Sequence, residues 1–298
     1  MNEIMIKEVE LPNGEMISYR ERLGGSQKIL LVHGNMNSSK HWDVVLEKMD
    51  PKYKLYALDQ RGFGLSSYHK PFYSIKELAE DLKYFIEAIG LKNFTIVGWS
   101  LGGAVCMQYV ADNPDVCDKM ILLASGSTRG YPLYESNENG LPDLTKRVQS
   151  YDQTKREKTK VVTTEQVYAT KNREFLRMVY DAVIYTKNKP DPERYEKYID
   201  DMLTQRNYAE ILHALNTFNI SKEFNGLTEG TGEAEKIKIP TLVLYGDRDL
   251  VITKEMNEEI VDDIGENAFF VELKDCGHSP LIDDLEQLLQ VMSEFLDS

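Results

Sequence analysis

A serine between two glycines, in Gly98-Trp99-Ser100-Leu101-Gly102, is the stretch of this sequence whose residue types most clearly suggest chemistry. The β-branched residues before it indicate a buried strand, and the apolar spacing after it indicates a helix. A strand that turns abruptly into a helix needs glycine where the backbone packs too closely for side chains. The Ser100 hydroxyl would stand at the end of the strand, and the Leu101 amide would open a helix, whose N-terminal N–H groups favour developing negative charge. The pattern predicts that Ser100 is a nucleophile that attacks a carbonyl group.

A serine hydroxyl is a poor nucleophile unless a base within hydrogen-bond reach removes its proton. The sequence has five histidines, of which His33 and His278 lie in loops that follow predicted strands. In a doubly wound sheet, working residues gather at the carboxyl ends of the strands. His278 stands between Gly277 and a Ser-Pro pair, in a loop that can lay the imidazole over the sheet edge. We therefore predict that His278 is the base and that His33 braces its own loop.

The base in turn needs a carboxylate that orients its ring and stabilises its charged form. Three aspartates lie just beyond predicted strands: Asp59, Asp247 and Asp249. Their positions relative to the strands are equivalent, so the pattern of residues leaves all three open as the orienting group.

Strands that alternate with helices must position these residues. Apolar runs separated by helical periodicity predict a doubly wound, mostly parallel sheet. The main runs are 28–32, 55–58, 95–97, 119–124, 241–245 and 268–273. A hairpin over 7–20 precedes them.

The sheet pattern is interrupted once, between the sixth strand and the run at 241–245. Residues 127–232 carry helical periodicity, best developed over 166–185 and 192–218, and contain no convincing strand. We therefore predict an α/β core made of residues 1–126 and 233–298, with a helical cap subdomain over 127–232.

Composition and charge narrow the class of partner. The 298-residue chain has a net charge of −14 at pH 7 and scattered basic residues, which argues against nucleic acid because phosphates must be neutralised by clustered cations. No apolar run is long enough to span a membrane, and residues 1–8 lack the pattern of a signal peptide. The three cysteines (Cys106, Cys117 and Cys276) are too widely spaced for a disulfide framework. We expect a protein of the reducing cytoplasm.

Four segments, taken together and in this order, resemble the α/β-hydrolase family. They are His33-Gly34-Asn35, the D-x-R-G-x-G-x-S segment at 59–66, the Ser100 turn, and Gly246-Asp247-Arg248-Asp249. The order serine, aspartate, histidine along the chain is also the family's order. The resemblance extends over the core from about residue 8 to residue 296 and breaks across the cap. It implies the α/β-hydrolase fold, in which the 59–66 segment shapes loops and carries no chemistry.

The resemblance also implies roles for individual residues. The family pattern Gly-x-x-Asp after the penultimate strand assigns the catalytic acid to Asp249 in preference to Asp247. In the family's H-G-x loop, the residue after the glycine supplies a backbone N–H to the oxyanion hole, and that residue is Asn35 here. Leu101 would supply the second N–H, and Met36 is the neighbouring alternative to Asn35.

The identity of the residue at the turn, Ser100, indicates which activities of the family this chain could have. Haloalkane dehalogenases and epoxide hydrolases of this fold carry an aspartate nucleophile there, so Ser100 argues against both. Serine leaves hydrolysis of esters, lactones or the carbon–carbon bonds of diketones, and cofactor-free perhydrolysis. We expect acyl transfer on a small ester or lactone by Ser100, His278 and Asp249, with no metal or organic cofactor. Carbon–carbon chemistry would need a polar cap residue such as Arg129, and a ligand receptor that keeps the triad is the non-enzymatic alternative.

The substrate pocket should be apolar and should lie between the core and the cap. We predict that Met36, Phe63 and Trp99 line it from the core, and that Tyr131 and Tyr134 line it from the cap. Because a fold does not determine its substrate, selectivity would depend on the cap, where the sequence carries no motif.

Overall fold

The computed structural model describes residues 3–298, so Met1 and Asn2, at the start of the predicted core, lie outside the described residues. The strands in this range are β1 (Ile4–Glu10), β2 (Met16–Arg22), β3 (Gln27–Val32), β4 (Tyr53–Leu58), β5 (Phe94–Trp99), β6 (Lys119–Leu123), β7 (Tyr134–Ser136), β8 (Pro142–Arg147), β9 (Thr241–Gly246) and β10 (Ala268–Leu273). Eight of them form one sheet in the order β1-β2-β4-β3-β5-β6-β9-β10. Neighbours from β4 to β10 run parallel, whereas β2 is antiparallel to β1 and β4. The predicted mostly parallel sheet is confirmed.

Helices cover both faces of this sheet. The helices are α1 (Asp43–Lys48), α2 (Ile75–Ala88), α3 (Leu101–Asp112), α4 (Tyr151–Arg156), α5 (Thr163–Thr170), α6 (Arg173–Val183), α7 (Pro192–Met202), α8 (Tyr208–Thr217), α9 (Lys254–Ile264), α10 (Pro280–Asp283) and α11 (Leu285–Asp297). Because side chains alternate along a strand, Leu30 and Ile96 pack with α2, α3 and α9, whereas Leu31 and Val97 pack with α1 and α11. Strands buried on both faces explain the continuous apolar runs of the sequence. Among residues 3–298, no helix is both long and apolar enough to cross a membrane.

The chain between β6 and β9 forms an insertion, which we call the cap. It contains the β7–β8 hairpin, helices α4 to α8 and a one-turn π-helical segment, Lys158–Val162. Leu176 and Tyr180 of α6 and Ile199 of α7 belong to a buried cluster, against which Met36 and Ile282 of the core pack. The cap therefore lies over the loops that follow β3 and β10.

The β7–β8 hairpin corrects the prediction that the cap contains no strand. The Asn137 N–H donates to the Leu141 carbonyl oxygen at 2.8 Å, and Gly140 adopts a φ of 76° in the turn. Most side chains of the hairpin are polar and at least partly exposed. The two strands therefore lack the apolar alternation by which a half-buried strand is recognised in a sequence.

The two long helices predicted in the cap are each divided into two. The segment 166–185 is divided between α5 and α6 at Lys171, whose φ is 50°, after which Asn172 caps α6 by accepting the Phe175 N–H at 3.0 Å. The segment 192–218 is divided between α7 and α8 by the loop 203–207. Neither break contains glycine or proline, so the strongest helix stop signals are missing from both.

Candidate active site

Ser100 forms the turn between β5 and α3. Its backbone is left-handed, with φ 54° and ψ −117°, a strained conformation for a residue that carries a side chain. The turn is held by the Ser100 N–H, which donates to the Leu123 carbonyl at 3.0 Å, and by the Gly103 N–H, which donates to the Ser100 carbonyl at 2.9 Å. The Ser100 hydroxyl makes no hydrogen bond to any residue of the 3–298 range, and Ser100 lines a cavity.

The glycines around Ser100 are required by close contacts between β5, α3 and β3. A Cβ atom on Gly98 would lie 2.5 Å from the Gly102 carbonyl oxygen, and one on Gly102 would lie 2.2 Å from the Val32 carbonyl oxygen. Both distances are far shorter than side chains tolerate. The spacing of the two glycines thus reflects the sharp turn that presents Ser100.

The imidazole of His278 contacts the carboxylate of Asp249, with 2.9 Å between Nδ1 and Oδ2. The Asp249 side chain has 0% exposed surface, and its Oδ1 accepts the N–H groups of Val251 at 2.7 Å and Ile252 at 3.0 Å. These two backbone donors fix the carboxylate so that Oδ2 points at the imidazole. The side chain of His278 is itself only 6% exposed.

The other two candidate carboxylates brace loops. Asp247 accepts the Cys276 N–H at 3.2 Å. Asp59 is buried and accepts the N–H groups of Ser39 at 2.8 Å and Leu65 at 2.9 Å. Of the three aspartates, Asp249 is the one that the structure brings against an imidazole.

The loop that carries His278 is held from two sides. The indole Nε1 of Trp99, the residue before Ser100, donates to the His278 carbonyl at 2.9 Å. On the other side, Asp283 of α10 accepts the Gly277 N–H at 2.7 Å. The turn with Ser100 and the loop with His278 are therefore joined directly by a buried hydrogen bond.

His33 is fully buried beneath its loop. Its Nε2 accepts the Gln60 N–H at 3.0 Å, so its Nδ1 carries the proton and donates to the Gly34 carbonyl at 2.8 Å. Burial lowers the pKa of His33 to about 4, so the ring is neutral at pH 7. These contacts agree with the interpretation of His33 as a brace.

The backbone N–H groups of Asn35 and Leu101, both near Ser100, have no acceptor among the described residues. Leu101 is the first residue of α3, where no intrahelical acceptor exists. The N–H of Met36, by contrast, donates to the Gln205 side chain at 3.1 Å. Asn35 and Leu101 both line the cavity with Ser100, so their N–H groups remain available to a bound ligand.

This cavity, of about 430 Å³, lies between the core and the cap. Ser100 and His278 form part of its wall, together with polar cap residues and a larger apolar set. The apolar set includes Val179, Val183, Ile184, Leu212, Leu215 and Leu250. Its volume falls in the range typical of small-molecule sites.

The predicted pocket residues divide into two groups. Met36, Trp99 and Tyr131 line the cavity. Phe63 does not, because its ring packs edge-on against the buried His33 ring at 4.9 Å. Tyr134 does not either, because it lies in β7 and pairs with Arg147 across the cap hairpin. Phe63 lies in the 59–66 segment and Tyr134 in the cap, as the sequence indicates, but both side chains make contacts outside the cavity.

Sequence reasoning missed most of the cap residues at this site, including the polar residues Lys160, Tyr180 and Gln205. Lys160 and Tyr180 line the cavity, and Gln205 contacts the loop that follows β3. They lie in helical or connecting segments with no motif, so only the docking of the cap reveals them.

A second, larger groove of about 760 Å³ lies between the β7–β8 turn and α4. Charged and polar cap residues line this groove, and neither Ser100 nor His278 borders it.

Comparison with known proteins agrees with this fold. Residues 28–285 match the family described as alpha/beta hydrolase fold. The AB hydrolase superfamily protein YisY of Bacillus subtilis is 24% identical over 93% of this chain and 94% of its own length. Lipase 1 of Psychrobacter immobilis is 24% identical over 96% of this chain and 82% of its own length. The structure of an esterase from Exiguobacterium antarcticum is similar with a TM-score of 0.74 at 18% identity, covering 99% of this chain and 100% of that one. On its family match and its sheet topology, the chain belongs to the alpha/beta hydrolase fold family.

Proposed function

We propose that this protein is a serine hydrolase that cleaves a small carboxylic ester or lactone through an acyl-enzyme. The observation that carries the proposal is that the strained Ser100 lines one cavity with His278, whose imidazole contacts the buried Asp249 carboxylate. Asn35 and Leu101, whose N–H groups have no acceptor in the described part of the chain, line the same cavity and would supply an oxyanion hole. The chain's own side chains and backbone carry every step, and no cofactor takes part.

The reaction follows from the orientation of the imidazole. Because Nδ1 of His278 faces the Asp249 carboxylate, Nε2 is the ring atom free to take the Ser100 proton as Oγ attacks the carbonyl carbon. The carbonyl oxygen becomes an anion that accepts hydrogen bonds from Asn35 and Leu101. When the C–O bond to the alcohol breaks, His278 returns its proton to the leaving oxygen. Water then attacks the acyl-enzyme in the same way, which releases the acid and restores Ser100.

The lining of the cavity supports a substrate with a short to medium acyl chain. Most of the side chains that line the cavity are apolar, and Lys160 adds one basic side chain from the cap. A relative named a lipase and a structural neighbour named an esterase are consistent with ester chemistry. We also propose that residues 127–232 act as a cap subdomain on the core of 1–126 and 233–298 and select the substrate, a small molecule.

Carbon–carbon bond hydrolysis is less well supported by the cap. Arg129, the residue considered for enolate stabilisation, donates to Asp263 at 3.2 Å and lies 3.8 Å from Glu259. These carboxylates already neutralise its charge, so Arg129 is occupied at the surface of the core.

The proposal is tested by measuring hydrolysis of aryl esters of acetate, butyrate and octanoate at neutral pH, with phenolate release as the readout. We expect turnover of at least one ester, with the chain-length preference reporting the usable depth of the cavity. Turnover of a vinylogous diketone without ester turnover would favour carbon–carbon chemistry, and peroxide-dependent turnover alone would favour perhydrolysis. Binding of the ester without turnover of any substrate would favour a receptor.

A further inference from the structure

Gln205 links the cap to the loop that supplies the Asn35 N–H. Gln205 is buried, with 4% of the residue exposed, and lies in the connection between α7 and α8. The Oε1 atom accepts the Met36 N–H at 3.1 Å and the Tyr168 hydroxyl at 3.0 Å. The Nε2 atom donates to Asn35 Oδ1 at 2.8 Å and to Asn207 Oδ1 at 2.9 Å. Since Met36 N–H is a donor, it fixes which end of the amide is oxygen, and the side chain uses both acceptor and both donor positions.

The loop contacted by Gln205, residues 34–38, makes further side-chain hydrogen bonds to the cap. The Tyr180 hydroxyl donates to Asn37 Oδ1 at 2.8 Å, and the Ser38 hydroxyl donates to Asp201 Oδ1 at 2.7 Å. Met36 has a φ of 62°, a conformation that costs a residue with a side chain about 1 kcal/mol or more and persists only where neighbours enforce it. Gln205 is the neighbour that holds the N–H of this strained residue and the side chain of Asn35.

We propose that Gln205 is a positioning residue that aims the Asn35 N–H at the oxyanion, so that the cap helps to build the oxyanion hole. The proposal rests on the proposed ester hydrolysis by Ser100. Displacing a catalytic donor by about 1 Å can cost about 10²-fold in rate, whereas binding of the neutral ester depends on the rest of the cavity.

The test compares Gln205→Leu with the control Thr204→Val, each replaced by a side chain of similar size. Thr204 Oγ1 accepts the Gly64 N–H at 2.8 Å, so its loss also removes a cap–core hydrogen bond, but one to a different loop. On an aryl butyrate, we expect Gln205→Leu to lower kcat about 10- to 100-fold with KM within about threefold, and Thr204→Val to stay within about threefold of the parent in both.

A second readout separates positioning from a loss of stability. A trifluoromethyl ketone adds to Ser100 and forms an oxyanion, so its affinity should fall in parallel with kcat/KM in Gln205→Leu, whereas affinity for the product acid stays unchanged. If Gln205→Leu does not fold, Gln205→Glu takes its place in the test. This variant keeps the shape and the acceptor for Met36 but loses the donor to Asn35, so it should also lower kcat. Equal kinetics in parent and Gln205 variants, or equal losses in the Thr204 control, would overturn the proposal. An inactive parent would instead overturn the ester hydrolysis on which it rests.

A second, independent observation concerns the charge of the substrate. Lys160 lies in the π-helical segment of the cap and lines the cavity that contains Ser100. Its ammonium group lies 5.8 Å from the centre of the Tyr131 ring, which lines the same cavity. Among residues 3–298, no carboxylate forms a salt bridge with it within 4.0 Å.

The nearest acidic residue in the chain is already engaged. The Glu157 carboxylate accepts the backbone N–H groups of Thr159 at 3.1 Å, Lys160 at 2.7 Å and Val161 at 3.2 Å. Packing around the Lys160 ammonium lowers its pKa, although the side chain remains accessible to water. The Lys160 ammonium group therefore lines the cavity without a salt bridge to any residue of the 3–298 range, although the charge of Glu157 acts on it from a longer distance.

We infer that the preferred substrate carries a carboxylate in addition to the ester, and that Lys160 binds this carboxylate. This inference also rests on the proposed ester hydrolysis. The substrate class is then a hemiester of a dicarboxylic acid, whose apolar chain lies along the aliphatic wall between Ser100 and the cap.

The experiment compares a mono-aryl adipate with an aryl hexanoate, which have the same acyl length and differ by one carboxylate. We expect the adipate-to-hexanoate ratio of kcat/KM to fall about tenfold or more in Lys160→Met and further in Lys160→Glu. Lys158→Met is the matched control, because Lys158 lines the separate groove beside α4. The ratio should be unchanged in this control, and raising the salt concentration to about 0.5 M should lower it in the parent.

A ratio that stays the same in Lys160→Met would overturn the inference while leaving ester hydrolysis intact. A fall of the same size in Lys158→Met would also overturn it, because a general loss of positive charge would then explain the effect. Failure of the parent to cleave either ester would count against the proposed function itself.

Discussion

Ser100→Ala is expected to lower kcat on an aryl ester about 10³-fold or more, with little change in KM. The hydroxyl is the only part of Ser100 that is removed, and the backbone at φ 54° is already held by Leu123 and Gly103. Without Oγ no acyl-enzyme forms, so the residual rate would come from the oxyanion donors acting on water attack. Phenolate release under steady-state conditions measures the effect.

Ser279→Ala is the matched control for this substitution. Ser279 is buried directly beside His278, and its hydroxyl has no hydrogen-bond partner within the described part of the chain. The same loss of a hydroxyl there should leave kcat within about threefold of the parent, since surface and unpartnered groups contribute little. Equal rates in the parent and Ser100→Ala would contradict the role of Ser100.

Asp249→Asn is expected to lower kcat about 10³- to 10⁴-fold, because the hydrogen bonds to Asp249 determine how the asparagine amide would be oriented. Asp249 Oδ1 accepts two backbone N–H groups, so the amide oxygen of asparagine would keep that position and its NH₂ would point at His278. Nδ1 of His278 would then have to accept a hydrogen bond, which moves the ring proton to Nε2. Nε2 is the atom that must take the Ser100 proton, so the base would be blocked.

Asp247→Asn provides the comparison for this variant. Asp247 accepts the Cys276 N–H at 3.2 Å and no other hydrogen bond from residues 3–298. An amide oxygen can also accept this bond, so kcat should change less than about threefold. The pair is measured with the same ester and with thermal unfolding of each variant. If Asp247→Asn lost as much activity as Asp249→Asn, the assignment of the orienting carboxylate would be wrong.

The sheet and its nucleophile turn could be predicted because their signals are local. Strands β3, β5 and β9 are continuous apolar runs, since both faces of each strand are covered. The glycines at 98 and 102 mark a steric requirement that is visible in the sequence as a spacing. The spacing of residues alone did not separate Asp247 from Asp249, and only the family resemblance favoured the residue that contacts His278.

The cap could be predicted only as an insertion, because its contacts are long-range. Gln205 contacts Asn35 across 170 positions of sequence, and no local pattern marks it. Phe63 was expected in the pocket from the core and Tyr134 from the cap, yet Phe63 packs on His33 and Tyr134 belongs to a polar hairpin. Which face of a cap residue meets the cavity depends on how helices α5 to α8 dock on the core, a property that periodicity does not encode.

Covalent labelling of the intact protein with diisopropyl fluorophosphate, followed by mass spectrometry of its peptides, tests the central claim most directly. The reagent reacts with a serine only where a base and an oxyanion hole activate the hydroxyl. We predict one adduct per chain, on the peptide that contains Ser100, with slower labelling of Asp249→Asn and none of Ser100→Ala. Absence of an adduct in the parent, or an adduct on a residue other than Ser100, would contradict the assignment of Ser100 as the nucleophile.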